Sequence, residues 1–521
     1  MTQVDQWRVF EHSLESSQDY QDPFLDVEVT VRLTSPSGVL KSIDAFWDEH
    51  HTWGIRFSPD EVGEWSWQTE CSDTSNTGLH RQEGCFTCVP YEGGNPLYRH
   101  GALRLSGNRL HLEHADGTPF FWLADTAWNG VLLSKQEDWT RYLKTRREQE
   151  FTAVQFVSTQ WRGCPEGPHH STAFVEGEDG SLELNPHFFE HLDPKIKAIN
   201  GRGLIAAPVI LWALQETDPG QALSEENAIR VARYIVARWG AYQVVWILGG
   251  DGHYEGEKSE RWHRIGRAVF GDRHDRLATM HPCGVSWVAD EFNDEEWFDF
   301  VGYQSGHGSS ESNLRWLTEG PPASDWQRDP PRPVINLEPN YEAHPSYQTK
   351  QKFTDREVRR AAYWSLLVSP TAGLTYGHNA IWVWRDEAGP AAGHERLGDV
   401  LPWETGLTPP GAQCMAVLHR FFSALLWTDL RPAPELLAEQ PGRENPERFV
   451  AAAKTDDGAL AVLYLPVGGE VQVKIGGLPV QRARWFDPRT GEWTEAGVPG
   501  ECHTAPDDND WLLVFDKGDV S

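Results

Sequence analysis

Residues 1 to 92 alternate in the manner of strands. In VEVTVRL (27–33) apolar and polar side chains take turns, the period of a pleated strand with one face buried. TWGIRFSP (52–59) and GEWSWQTE (63–70) repeat the pattern with turn residues between them. No helical period interrupts the run, so a small β-sandwich is expected, and YEGGNPLYRHG (91–101) reads as a linker.

From about residue 118 the grammar becomes strand, then helix, repeatedly. PFFWLADTAW opens it, followed by FTAVQFV (151–157), LIAAPVILW (204–212), QVVWILGGD (243–251), LATMHPCG (277–284), FVGYQSG (300–306), PVINLEP (333–339) and AGLTYG (372–377). Between them lie helix signals. Ser134 and Glu137 stand at capping-box spacing, as do Thr354 and Glu357, and Ser224 opens an amphipathic stretch that Gly240 ends. Eight buried-type strands alternating with helices over roughly 260 residues predict a (β/α)₈ barrel. The alternative, a doubly wound sheet, calls for a glycine-rich phosphate turn after an early strand. GGDGHYEG (249–256) has the wrong spacing for one. After a helix around 411–427, RFVAAAKT, LAVLYLP, EVQVKI, RARWFDPRTGEW and DWLLVFD predict a second compact β domain. The expected fold is therefore multidomain: an N-terminal β-sandwich (1–92), a central (β/α)₈ barrel (93–427) and a C-terminal β-sandwich (428–521).

Charge and composition narrow the partners. The formal net charge is −31, which repels nucleic acid and anionic membranes, and no apolar run is long enough to span a bilayer. Seven scattered cysteines do not form a disulfide framework, and the N-terminus lacks a basic and then apolar leader, so a cytoplasmic protein is expected. The 25 Trp, 13 Tyr and 22 Phe supply flat faces of the kind that stack on sugar rings, although most such residues fill cores.

In a (β/α)₈ barrel, catalytic groups project from the C-terminal ends of the strands. Those ends carry Asp125, Trp161 and Arg162, Trp212, Asp251, His281, Gln304 and His307, Glu338 and Tyr341, and Tyr376 and His378; Trp382 follows shortly after. Carboxylates, imidazoles, amides and aromatics suit a polyhydroxylated ligand. Cleaving a glycosidic bond takes one acid to protonate the leaving oxygen and one carboxylate to attack or to activate water. Asp251 after strand four and Glu338 after strand seven lie on opposite sides of the ring and are the expected pair. The others are expected to bind sugar, Tyr376 by supporting Glu338, against the plainer role of packing or of a satisfied structural histidine. Arg56 reads as a surface salt-bridge residue. His187, Glu190 and His191 match H-x-x-E-H, an inverted zinc-protease pattern, but Pro194 interrupts the segment; Cys85-x-x-Cys88 has no second pair. No metal or other cofactor is expected. A carbohydrate-binding protein without activity is the remaining alternative, and it has no need to keep both acids.

WLADTAW, WILGGD, YQSGHG, INLEPNYE and RRAAYWSLLVSPTAGLTYGHNAIWVW together resemble the apiosidase-like glycoside hydrolases. The segment with RFSPDEVGEW resembles the β-sandwich that precedes their barrel, and the C-terminal segment resembles the collagen-binding-type domain found in that family. The resemblance implies Asp251 as catalytic acid, Glu338 as nucleophile or base, and release of a terminal pentose such as apiose from a plant glycoside. Retention of configuration is expected by analogy with barrels that place their acids after strands four and seven. Asp251 is one methylene shorter than a glutamate, and the Gly249-Gly250 turn is expected to compensate by letting the backbone approach more closely.

Overall fold

The computed structural model describes residues 2–271 and 276–518. The N-terminal domain is a sandwich of two sheets. The larger runs Thr2–Asp5, Glu83–Val89, Gly63–Cys71, Val29–Thr34 and Leu40–Asp44, and the smaller runs Phe10–Glu15, Thr52–Phe57 and Phe46–Glu49. The alternation has its expected result: Val29, Val31 and Leu33 are buried between the sheets, while Arg32 is exposed. Arg56 departs from its expected surface role. Its guanidinium reaches across to the barrel, 2.7 Å from Asp193 and 3.0 Å from the Arg238 carbonyl, while also binding Glu11 at 2.8 Å. An isolated strand motif gives no sign that a second domain covers that face.

All eight predicted barrel strands form: β1 (Trp122–Thr126), β2 (Ala153–Val157), β3 (Ile205–Trp212), β4 (Trp246–Gly252), β5 (Ala278–Pro282), β6 (Val301–Tyr303), β7 (Val334–Asn336) and β8 (Gly373–Gly377). They make one parallel sheet in the order β5-β4-β3-β2-β1-β8-β7-β6. The ring closes between β5 and β6, where the Asp299 N–H donates to the Ala278 carbonyl at 2.9 Å and Thr279 Oγ1 donates to the Phe300 carbonyl at 2.6 Å. Around it lie α1 (Gln136–Glu148), α2 (Pro186–Gly201), α3 (Glu225–Trp239), α4 (Glu257–Phe270), the one-turn α5 (Ala289–Phe292), α6 (Glu311–Glu319), α7 (Asp355–Leu367) and α8 (Pro410–Ser423).

The helix starts test the capping expectations. Thr354 and Glu357 make a reciprocal capping box on α7, and the Ser224 hydroxyl caps α3. The Ser134–Glu137 box does not form. Ser134 instead ends the preceding turn Gly130–Leu133 and gives its carbonyl to the Lys195 ammonium, so α1 begins at Gln136 behind Lys135. Pro194 does not interrupt α2, because Phe188, Phe189, Leu192, Ile196 and Ile199 bury one face of the helix on both sides of it.

The C-terminal domain is an antiparallel sheet in the order Arg431–Pro432, Ala451–Lys454, Leu460–Leu465, Trp511–Asp516, Arg482–Phe486 and Trp493–Glu495, with a small second sheet of Glu470–Gln472 and Cys502–Thr504. Leu460–Leu465 is buried along its whole length because both of its faces are covered. Leu460, Val462 and Tyr464 join the barrel's core, while Ala461, Leu463 and Leu465 join the domain's own. Among the described residues no helix is long and apolar enough to cross a membrane.

Candidate active site

Asp251 and Glu338 come together at the C-terminal mouth of the barrel, and each is held by a different set of partners. Asp251 sits in β4 within the second of two breaks in the register with β5, and its φ of 52° is a left-handed conformation unusual for a non-glycine residue. Glycine is required beside it. A Cβ on Gly250 would lie 2.6 Å from both Trp212 and Val209, and one on Gly249 would lie 2.5 Å from the Tyr254 hydroxyl. The Asp251 Oδ2 pairs with Arg162 at 3.1 Å.

Glu338 follows the end of β7. Its Oε1 accepts from His307 Nε2 at 2.9 Å, and its Oε2 lies 3.4 Å from His281 Nε2. The tautomer of His307 follows from its other nitrogen. Nδ1 faces the Tyr341 backbone N–H at 3.4 Å and so acts as acceptor, leaving the proton on Nε2, where it donates to the carboxylate. Stacking on His344, with ring centroids 3.9 Å apart, fixes the His307 plane.

These surroundings drive the two acids apart. Burial and the negative charge of Glu338 push the Asp251 pKa up, against the pull of Arg162 and His281. Burial acts on Glu338 too, but hydrogen bonds and charge from His281 and His307 outweigh it and pull its pKa down. When the pair holds a single proton, these opposite shifts place it on Asp251. A protonated carboxyl beside an ionised carboxylate is the division of labour that glycoside cleavage uses.

Of the other expected residues, the structure gathers one group at the mouth. Trp161 and Trp212 pack against each other at 4.5 Å, Trp212 and His281 lie 6.2 Å apart, and Trp382 stands behind Trp161 at 6.5 Å. Tyr341 packs on His307 and donates its hydroxyl to Thr126 at 3.1 Å. Trp212 Nε1, His281 Nδ1 and Gln304 Oε1 are buried without a hydrogen-bond partner among the described residues, and His281 Nε2 meets Glu338 only as the 3.4 Å charge contact.

Three expectations need correction. Asp125 was expected to bind sugar, but Trp122 and Thr126 of β1 bond to Thr375 and Gln155 of neighbouring strands, and strand parity sends Asp125 outward to the helix layer. There it accepts from Arg146 at 2.5 Å and Tyr142 at 2.6 Å and is fully buried. Tyr376 likewise faces outward and donates to Glu342 at 2.6 Å, not to Glu338. His378 caps the short helix Asn379–Val383 through Nδ1, and burial pushes its pKa down to about 3.

The metal-like motifs dissolve. His187 lies between Glu190 at 2.9 Å and Glu49 of the first domain at 3.3 Å, whereas His191 turns to His169. The ligand atoms of Glu49, His187 and Glu190 lie within 4.8 Å of one another, but His187 uses opposite ring nitrogens toward the two carboxylates. Cys85 is exposed and Cys88 buried, on opposite faces of one strand.

Sequence reasoning missed Asp218, His344, Tyr347 and His394, and noted Arg162 only as a strand-end residue. Tyr347 is 54% exposed and stands edge-on over His307 at 5.6 Å, and His394 faces Trp382 at 4.8 Å. All four lie on irregular loops, where no hydrophobic period marks a position as inward. Trp128, which packs on both Trp212 and His281, was already present in the WLADTAW motif.

A family model described as "Apiosidase-like, catalytic domain" matches residues 106–429. A "domain of unknown function" model matches residues 3–72, and a "Putative collagen-binding domain of a collagenase" model matches 432–516. No curated protein matches the chain. Among solved structures, a glycoside hydrolase family 5 protein from Bacteroides vulgatus ATCC 8482 is 22% identical, with a TM-score of 0.69 over 82% of this chain and 96% of that one. A second structure from the same organism, titled a "putative glycoside hydrolase", is 18% identical, with a TM-score of 0.70 over 99% of this chain and 100% of that one. At these identities the two structures establish a shared fold.

Proposed function

The chain belongs to the apiosidase-like family of glycoside hydrolases, and we propose that it releases a terminal sugar, a pentose such as apiose, from a plant-derived glycoside or oligosaccharide. The observation that carries this reading is the split between two neighbouring acids, Asp251 held protonated and Glu338 held ionised by two histidines. In the first step Glu338 attacks the anomeric carbon while Asp251 gives its proton to the departing glycosidic oxygen. In the second, the Asp251 carboxylate takes a proton from water, whose oxygen displaces Glu338 with net retention. Retention is favoured by analogy with barrels that place their acids after strands four and seven. Trp161, Trp212 and Trp382 crowd one side of the mouth, which favours an exo-acting pocket over an open cleft.

Asp251→Asn and Glu338→Gln are expected to keep the fold, read by circular dichroism, and to lower turnover by about 10²–10⁴-fold or more. The Asp251 variant should lose least on aryl glycosides with acidic phenols, which depart without a proton. Near-full activity in either variant on the natural glycoside rejects the assignment. NMR of the first-formed anomer reads the stereochemistry, and a product of opposite configuration makes Glu338 a base rather than a nucleophile. Mid-chain cuts in an oligosaccharide at early times reject exo action.

A further inference from the structure

Arg162 joins Asp251 to a second acid that the cleavage scheme does not use. Its guanidinium lies over the rings of Trp161 and Trp212, 5.3 Å from each centroid, and only 8% of the side chain is exposed. On one side it meets Asp251 Oδ2 at 3.1 Å, and on the other Asp218 Oδ2 at 3.4 Å. Asp218 is fully buried in the loop after β3. Its Oδ1 accepts from the Arg162 backbone N–H at 3.0 Å, and its Oδ2 accepts from the Gln215 N–H at 2.7 Å. Asp218 thus holds Arg162 by main chain and side chain at once, while the two indoles fix the guanidinium plane. The Asp251 Oδ1, by contrast, accepts no hydrogen bond among the described residues.

We propose that Arg162, anchored by the buried Asp218, is the positioning residue for Asp251: it engages Oδ2 and so presents the unpartnered Oδ1 to the glycosidic oxygen. The catalytic use of that geometry rests on the reading of Asp251 as the acid. The charge arrangement supplies the second half of the argument. A guanidinium alone at this distance strips a carboxyl of its proton, which suits an acid catalyst badly. Asp218 offsets that charge from the far side, so Arg162 orients the acid without fully ionising it. The other titratable groups facing Asp251 are Glu338 from the β7 loop, His281 from β5, Cys283 just after it, Tyr254 from the β4 loop and Tyr347 above. Arg162 also acts on Cys283 and Tyr347, and Asp218 on Tyr254, so the clamp is read from the Asp251 signal itself, by the opposite sign of its shift in the two variants.

Arg162→Met removes the positive charge, and Asp218→Asn leaves it uncompensated, so Asp251 should respond in opposite directions. Carboxyl resonances of protein labelled at aspartate Cγ, with the Asp251 signal assigned by its loss in Asp251→Asn, read this without any substrate. The titration midpoint should rise by about one pH unit or more in Arg162→Met and fall in Asp218→Asn. On aryl glycosides of graded phenol acidity, Arg162→Met should lose roughly tenfold or more with the least acidic phenols and little with the most acidic. Arg162→Lys, which keeps the charge but reaches one acid at a time, should recover the midpoint while leaving part of the rate deficit. If Arg162→Met does not fold, the downward shift in Asp218→Asn and the Lys variant's rate deficit decide the question. Unshifted midpoints, or shifts of the same sign in both variants, overturn the clamp. Full activity in Asp251→Asn overturns the acid assignment instead and leaves the titration result standing.

Discussion

Burial and a neighbouring negative charge raise the Asp251 pKa while two histidines lower that of Glu338, so the pH profile reports both. In the proposed roles, the active form carries a proton on Asp251 and none on Glu338. The rate therefore falls as pH rises through the elevated Asp251 value, and on the acid side it falls only where Glu338 finally takes up a proton, well below the ordinary carboxylate range. His307→Ala deletes the 2.9 Å hydrogen bond to Glu338 and should move the acid limb of kcat/KM upward. An acid limb that stays in place shows that His281 alone holds the charge. The same scale shows why some sequence expectations failed. Asp125, Tyr376 and His378 have the right chemistry at strand ends, but face the helix layer or cap a turn. A single inversion of strand parity is enough to move a carboxylate from the mouth to the back of the barrel.

At the scale of elements, β4 was legible as a buried run ending in two glycines and an acid. That the glycines serve two different neighbours was not. Gly249 makes room for Tyr254 and Trp262, and Gly250 for Trp212 and Val209. Gly250→Ala would press a methyl group into the Trp212 ring, beneath the Arg162 guanidinium. It is expected to lower kcat/KM by roughly 10²-fold, since small misplacements of catalytic groups are that costly, while the melting temperature falls by only a few degrees. Activity close to wild type shows that Trp212 can retreat without disturbing Asp251. β7 carries the converse lesson. Leu337 packs inward on Gly302, so unbroken alternation would send Glu338 outward. The ladder ends at Asn336, whose side-chain oxygen accepts from the Glu338 N–H at 3.3 Å, and the turn brings the carboxylate over the mouth.

For the whole molecule, the flanking domains are parts of the barrel's packing. The C-terminal sheet gives Leu460, Val462, Tyr464, Leu512 and Val514 to the barrel core. Across that boundary Arg359 pairs with the buried Asp510 at 2.8 Å through both of its forks, and Tyr363 stacks on Tyr464 at 4.8 Å. Removing residues 431–521 deletes Asp510, leaving Arg359 with Asp355 alone among its acidic partners, and exposes an apolar face. The apolar face then meets water, and a loss of even about 3 kcal/mol is a large share of a domain's stability. The truncated chain is expected in the insoluble fraction, or soluble with a melting temperature at least roughly 10 °C lower. A soluble, fully active barrel without this domain contradicts that expectation.

Hydrophobic periodicity was sufficient to determine the eight barrel strands, the two flanking β domains and the shortlist of strand-end side chains, because burial imposes its period on any sequence that folds this way. The motifs around Asp251 and Glu338 singled them out from that shortlist as the proposed pair. Tertiary structure alone decided which shortlisted groups face the mouth, that two histidines rather than one hold Glu338, and that Arg162 and Asp218 stand behind Asp251. Those outcomes depend on strand parity, on bulges and on loops that cross from one strand end to the next. Local sequence carries no period for contacts between residues so far apart along the chain. The left-handed backbone at Asp251 belongs to the same class, since only the surrounding packing holds an aspartate in that conformation.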